Sequence, residues 1–378
     1  MWKLVFLGVA MIAVTYALAR LSFGLFLPDI AESLRLTAGE AGMIGSTAYI
    51  AYTFALLTSS FLIQRWGTKK VVQCSGLSAL LGLIGIALAQ DVYTMVLCSF
   101  IGGVGSGWAS PALSQVASIS LKDNEKDKAN TWINSGTSFG LILTGPIALA
   151  LSEYWRLAYL FFAVIALFVL IWSSKSIPSY KLKLHEGEAK QPIVGSLVKA
   201  KNLLLASLLA GGVSSVYWTF SRSYINVMYE MSANDSVIFW IIMGIAGIGG
   251  AMAGRVIHKI GLAYAYRLIL GIMLFSISSI TIPTMVTVYV SGLLFGVSFI
   301  FLTGLFIVWG TRLFPSSPAM GVSLAFLALG AGQSVGSFAA GLLIEATSYL
   351  FCFLFVPLIG LVGLLIPVNK KVCQAYTM

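Results

Sequence analysis

Apolar residues along this chain come in long unbroken runs and do not alternate with polar ones at short period. The runs cover about residues 4–28, 39–63, 71–89, 92–120, 131–152, 157–174, 202–229, 234–257, 262–282, 285–310, 317–345 and 348–368. A helix that crosses a bilayer needs about 20 mostly apolar residues, so the pattern predicts twelve transmembrane helices and an all-α membrane protein. The first run follows Lys3, lacks a small-residue cleavage site and exceeds a signal-peptide core, so it reads as an uncleaved first helix. One polar stretch is long, residues 175–201, with six lysines, Pro178, Pro192 and Gly187. Six runs precede it and six follow. The expected organisation is a first six-helix bundle over 1–174, a linker over 175–201 and a second six-helix bundle over 202–378.

Charge turns this pattern into a topology. The chain is 58% hydrophobic and 10% charged, against about 25% charged residues in a soluble domain. Nineteen of its 23 basic residues fall on the side of the termini and of 175–201, in the gaps there or, as Arg255 and Arg267, in the run ends beside one. Arg35 and Arg156 lie opposite, and Arg20 and Arg222 stay inside runs. The positive-inside rule then places both termini and the linker in the cytoplasm of a cell membrane protein. The net charge of +10 is thereby a topology signal, and nucleic acid is not an expected partner. The four cysteines have no metal or redox spacing.

The interior also excludes most chemistry. It offers no carboxylate near a helix centre, no lysine and no histidine, so neither a nucleophile with its base nor a metal-bound water can be assembled. The chain is expected not to be an enzyme and to need no cofactor or metal. What it does contain is a repeat. Ser60-x-x-x-Gln64-Arg65-x-Gly67-x-Lys69-Lys70 follows the second run, and Gly254-x-x-x-His258-Lys259-x-Gly261 follows the eighth. The offset is 194 residues throughout, as expected of a transporter built from two related bundles.

Here the sequence resembles the major facilitator superfamily, whose signature between helices two and three is Gly-x-x-x-Asp-Arg-x-Gly-Arg-Lys. Arg65, Gly67 and Lys69 match it, and Lys70 follows; Ser60, Gln64 and Thr68 depart from it. The resemblance implies twelve helices in two pseudo-symmetric bundles and a conformational role for the two turns, at Gln64, Arg65 and Gly67 and at His258, Lys259 and Gly261. Gln64 cannot pair ionically, so a latch there is expected to be weak. Gly140-x-x-x-x-Gly145-Pro146 partly resembles the family's antiporter signature, and Gly145 and Pro146 are expected to allow close packing and a bend. Ser99 stands where proton-coupled relatives carry a helix-four arginine. The stretch Ala19–Pro28 resembles the helix-one ending of one bacterial branch.

Arg20 and Arg222 carry the substrate expectation. A guanidinium near mid-membrane costs roughly 2.5–3.5 kcal/mol and by default marks a functional site. Tyr16 stands one turn before Arg20, and Trp218 one turn before Arg222, so the two arginines read as equivalent cations facing one cavity. Snorkelling to the interface is the structural alternative. Tyr49, Tyr52, Trp108 and Gln333 lie near helix centres and complete the expected binding set. The expected function is secondary transport by alternating access of a small organic anion between Arg20 and Arg222, by a monomer in the bilayer. An exporter of hydrophobic compounds and a non-transporting membrane sensor or scaffold are the alternatives.

Overall fold

The computed structural model describes residues 1–151, 154–177, 193–315 and 317–368. Its helices are α1 (Trp2–Leu34), α2 (Ala38–Trp66), α3 (Thr68–Leu88), α4 (Val92–Ser120), α5 (Lys128–Ala150), α6 (Trp155–Ser176) and α7 (Ile193–Tyr229). The rest are α8 (Ala233–Gly249, continued after a 54° bend as Ala253–Ile260), α9 (Leu262–Ser279), α10 (Met285–Leu313), α11 (Pro318–Ala346) and α12 (Tyr349–Leu364). Ten are long and apolar enough to cross a membrane, the bent α8 makes an eleventh, and α12 is a shorter apolar helix. No strand occurs among the described residues.

Two expected boundaries shift. Helix α1 does not stop at Pro28 but continues to Leu34 with the proline inside it. A proline lacks only its own N–H and crowds the preceding turn, so one turn distorts and the helix goes on. Helix α7 starts at Ile193, so residues 193–201, expected in the linker, are helical. Lys199 and Lys201 hid this from a hydropathy reading. Residues 178–192 of the expected linker lie outside the described residues.

Side-chain caps sort the two ends of the molecule. Thr37, Asp91, Ser232, Thr284 and Ser348 accept from the first turns of α2, α4, α8, α10 and α12. All of these starts lie at the end that carries Glu40. At the opposite end the repeated turns use glycine. Gly67 has φ 82 and ψ 158, and Gly261 has φ 83 and ψ 156. That region is open essentially only to glycine. The Gly67 N–H donates to Ile63 at 2.9 Å and the Gly261 N–H to Ile257 at 2.9 Å, so the sequence repeat is a backbone repeat.

The packing repeats as well. In the first half α3 packs on α4, α2 on α4, α3 on α6 and α1 on α5; in the second, α9 packs on α10, α8 on α10, α9 on α12 and α7 on α11. Across the halves α2 meets α11, α5 meets α8, and α1 meets α7. Exchanging the halves maps this set onto itself, which is the signature of a pseudo-two-fold pair of bundles. Small residues let these helices approach closely. A Cβ on Gly42 would lie 2.6 Å from the Ser337 carbonyl oxygen, and one on Gly247 would lie 2.7 Å from Ser138 Oγ. Among the described glycines, contacts between halves run from the Glu40 end to mid-helix, where a Cβ on Gly330 would meet Tyr52 at 3.0 Å. Nearer the other end, Gly8, Gly310 and Gly321 touch only their own half, and Gly254 faces open space.

Candidate functional site

The centre of α1 is not an ordinary helix. Residues Ala13–Leu21 form a π-helical segment, a wider winding that is uncommon and concentrates at functional sites. Thr15 donates back to the Met11 carbonyl at 2.8 Å, a local bond of the kind that competes with regular helix pairing. Tyr16 and Arg20 both lie on this segment.

Arg20 is 8% exposed. Its Cζ lies 4.6 Å from the ring centre of Tyr16, 4.4 Å from that of Tyr52 and 5.6 Å from that of Tyr49. Desolvated contacts of this kind are worth about 2 kcal/mol or more each. Its NH1 donates to Ser106 Oγ at 3.4 Å, and Ser106 in turn donates to the Gly103 carbonyl at 2.8 Å. The buried Nε has no partner, and no carboxylate pairs with this guanidinium among the described residues. Arg20 therefore sits in an aromatic box with a positive charge that nothing described neutralises. Tyr52 connects the box to the second half through Gly330 of α11. One turn further along α11, Gln333 is 1% exposed, and its Nε2 also lacks a partner.

Arg222 is built differently. It is 1% exposed, and its NH1 pairs with Asp29 Oδ2 at 2.6 Å. NH1 also donates to the Leu25 carbonyl, in the turn that Pro28 disturbs, and Nε donates to Ser236 Oγ at 3.1 Å. Asp29 and Leu25 belong to α1, Arg222 to α7 and Ser236 to α8. The guanidinium thus ties the second half to the first.

The two arginines are not at equivalent positions. Arg35 after α1 and Glu230 after α7 both adopt left-handed backbone, with φ 54 and 49, and mark the same point in each repeat. Arg20 precedes Arg35 by 15 residues, whereas Arg222 precedes Glu230 by 8. The seven-residue difference is about 10 Å of helix. The aromatic-x-x-x-Arg match is local, and the reading of α1 as ending at Pro28 made it look like symmetry.

Of the expected binding set, the structure brings Arg20, Tyr16, Tyr49 and Tyr52 together. Trp218 does not orient Arg222; its ring packs on Trp240, Phe295 and Phe299 at 5.8, 5.3 and 5.2 Å. Trp108 donates its indole N–H to Thr58 at 3.1 Å. Of the expected conformational residues, Gly67 and Gly261 make matching turns, while Gln64, Arg65 and Lys259 are exposed. Arg65 lies over the Phe61 ring at 6.0 Å, and His258 is in the last turn of α8. Gly145 abuts Ile241 of α8 across the halves, and Pro146 is exposed on α5. Sequence reasoning missed Ser106, hidden among the glycines of α4, and Asp29, which lies just past the first apolar run.

A second contact between halves lies at the Glu40 end. Glu345, near the C-terminus of α11, accepts from the Gly39 N–H in the first turn of α2 at 2.8 Å. A carboxylate is favoured at a helix start and disfavoured at a helix end, so Glu345 gains by reaching over to the neighbouring helix.

Comparison with known proteins agrees with this architecture. The family model described as Major Facilitator Superfamily matches residues 7–320. The chain is 24% identical to the transcription regulatory protein OpdE of Pseudomonas aeruginosa, over 85% of this chain and 82% of that one. It is 23% identical to the sialic acid transporter NanX of Escherichia coli, over 63% and 60%. It is 23% identical to a hexuronate transporter of Bacillus subtilis, over 66% and 62%. Its fold is similar to a crystal structure of a mutant of the nucleoside transporter NupG, with a TM-score of 0.79 and 14% identity over 96% of this chain and 98% of that one.

Proposed function

Since the chain belongs to the major facilitator superfamily, we propose that it is a secondary transporter for a small organic anion that docks on Arg20 and moves by alternating access. The observation that carries this reading is the guanidinium of Arg20: nearly fully buried, held by tyrosine faces, with an unpartnered Nε and no carboxylate beside it among the described residues. A carboxylate placed there would gain charge-assisted hydrogen bonds in a desolvated setting. Gln333 Nε2 would supply a further donor to an oxygen of the same molecule. Hexuronates and sialic acid, the substrates in two relatives' names, are polyhydroxy carboxylates, so this chemistry is the first to try.

Arg222 takes the other role in this reading. With Asp29 it forms one fastener that keeps the halves together at the Glu40 end, and Glu345 of α11, accepting from Gly39 of α2, forms another. The conformation is then closed at that end and gives access from the Gly67 end. With both termini in the cytoplasm it is inward-facing, and the turns at Gly67 and Gly261 come together when the molecule opens outward. The unit is a monomer of two bundles, α1–α6 and α7–α12, in a cell membrane.

The test is uptake and exchange of labelled hexuronate, sialic acid and short monocarboxylates in proteoliposomes. Transport of at least one by the wild type, lost in Arg20→Gln, supports the reading. A second reading rests on the relative OpdE, which is named a transcription regulatory protein. A regulator would bind the anion at the same site without moving it, so saturable binding with no flux would select that role.

A further inference from the structure

A groove of about 610 Å³ runs between α3 and α6 near the Gly67 end, on the opposite side of the first half from its contacts with the second. It is independent of the Arg20 site. One rim carries Lys70 and the amide of Gln73, with Cys74 one turn past Lys70 on α3. The walls beyond are Leu77 from α3 and Leu170 and Ile171 from α6. Leu77 lies seven residues past Lys70, about 10 Å further into the membrane. Leu77 and Ile171 are 45% and 44% exposed, as is Trp66 at the mouth, at 45%. The groove is therefore cationic and hydrogen-bonding at one end and apolar along the rest.

We propose that this groove holds one anionic phospholipid, its phosphate on Lys70 and Gln73 and an acyl chain along Leu77, Leu170 and Ile171. Charge complementarity selects this occupant. Lys69, Lys70 and Arg65 cluster at this end of α2 and α3, Lys175 follows Ser174 of the groove on α6, and no acidic residue lines it among the described residues. The start of α3 has no side-chain cap, so its first-turn N–H groups add to the attraction for an anion. A soluble anion would use the rim and leave the apolar wall exposed; a hydrophobic peptide would bury the wall and leave Lys70 unpaired. A phospholipid satisfies both parts, and indole rings such as Trp66 favour the headgroup level.

Cys74, half-exposed in the groove, reports on occupancy. The full chain is placed in nanodiscs of pure phosphatidylcholine or of phosphatidylcholine with phosphatidylglycerol. Reaction of Cys74 with a membrane-permeant maleimide is followed by peptide mass spectrometry, with Cys98 on α4 as an internal reference. The expected result is a slowing of Cys74 by about fivefold in phosphatidylglycerol, the effect of one lysine near an anionic surface, with Cys98 unchanged. Lys70→Gln, an exposed position, is expected to remove the difference while leaving thermal unfolding unchanged. Equal rates in the two lipids, slowing that persists in Lys70→Gln, or parallel slowing of Cys98 would overturn the proposal. Equal protection by inorganic phosphate in phosphatidylcholine alone would assign the rim to a soluble ion and overturn it too.

Discussion

Arg222 donates to a carboxylate, a carbonyl and a hydroxyl drawn from α1 and α8, whereas Arg20 faces three tyrosine rings and one serine and keeps an unpartnered Nε. Both are buried cations in membrane-spanning helices, so insertion cost alone does not distinguish them. Their partners do. A charge matched within the protein contributes to holding helices together, and removing its partner exposes the full penalty of burial. A charge left unmatched attracts an anion, and it persists because aromatic faces partly offset its desolvation. Depth in the membrane nominates a residue, while the inventory of its neighbours assigns its role.

The largest effect that would sharpen this contrast is on stability at the Arg222 site. Asp29→Ala leaves Arg222 buried without its counter-ion, and a loss of about 3 kcal/mol is expected, read as a lower unfolding temperature in detergent. Adding Arg222→Leu should recover most of it, because the orphaned charge goes too. Arg20→Leu orphans no carboxylate among the described residues and should cost far less. Equal destabilisation by Asp29→Ala and Arg20→Leu would break the comparison.

A smaller effect is expected in the aromatic box. Tyr52→Leu removes the nearest ring from Arg20 and the link to Gly330, and anion affinity should fall by roughly fivefold to thirtyfold, the worth of about 1–2 kcal/mol. Tyr224→Phe, which removes a hydroxyl remote from Arg20, should leave affinity unchanged. The smallest is Ser106→Ala, which removes one long hydrogen bond to Arg20. About 1 kcal/mol or less is expected, detectable as a few-fold change in binding. No change at Tyr52 and Ser106 together would mean that the box does not shape the site.

Much of the fold was legible because a bilayer dictates it. Backbone groups in lipid must be paired within the segment, so long apolar runs announce helices, and lysines announce sides. Gly67 and Gly261 were legible as a repeat for a local reason: their backbone conformation excludes other residues. Pro28 and Lys199 were misread because hydropathy treats them as breaks, while a helix tolerates a proline in one turn and a lysine on an outer face. Arg20, Tyr16, Tyr49 and Tyr52 were legible from depth and spacing. The Asp29 pairing was not, because it joins α1 to α7, and nothing local in either segment encodes the register between halves. Ser106 was hidden for the same reason: its contact with α1 depends on how closely α4 approaches.

Calorimetric titration of the carboxylate that the transport screen identifies, into wild type, Arg20→Gln, Arg20→Lys and Arg222→Gln, tests the central claim most directly. Each protein is first shown to be folded by its unfolding transition. Arg20→Gln is expected to lose roughly tenfold to hundredfold in affinity, the worth of hydrogen bonds to a charged group. Arg20→Lys should retain part of it, since the charge stays and the planar fork is lost. Arg222→Gln should bind within a few-fold of wild type. Full affinity in Arg20→Gln, or a loss in Arg222→Gln as large as that in Arg20→Gln, would contradict the assignment of the anion to Arg20.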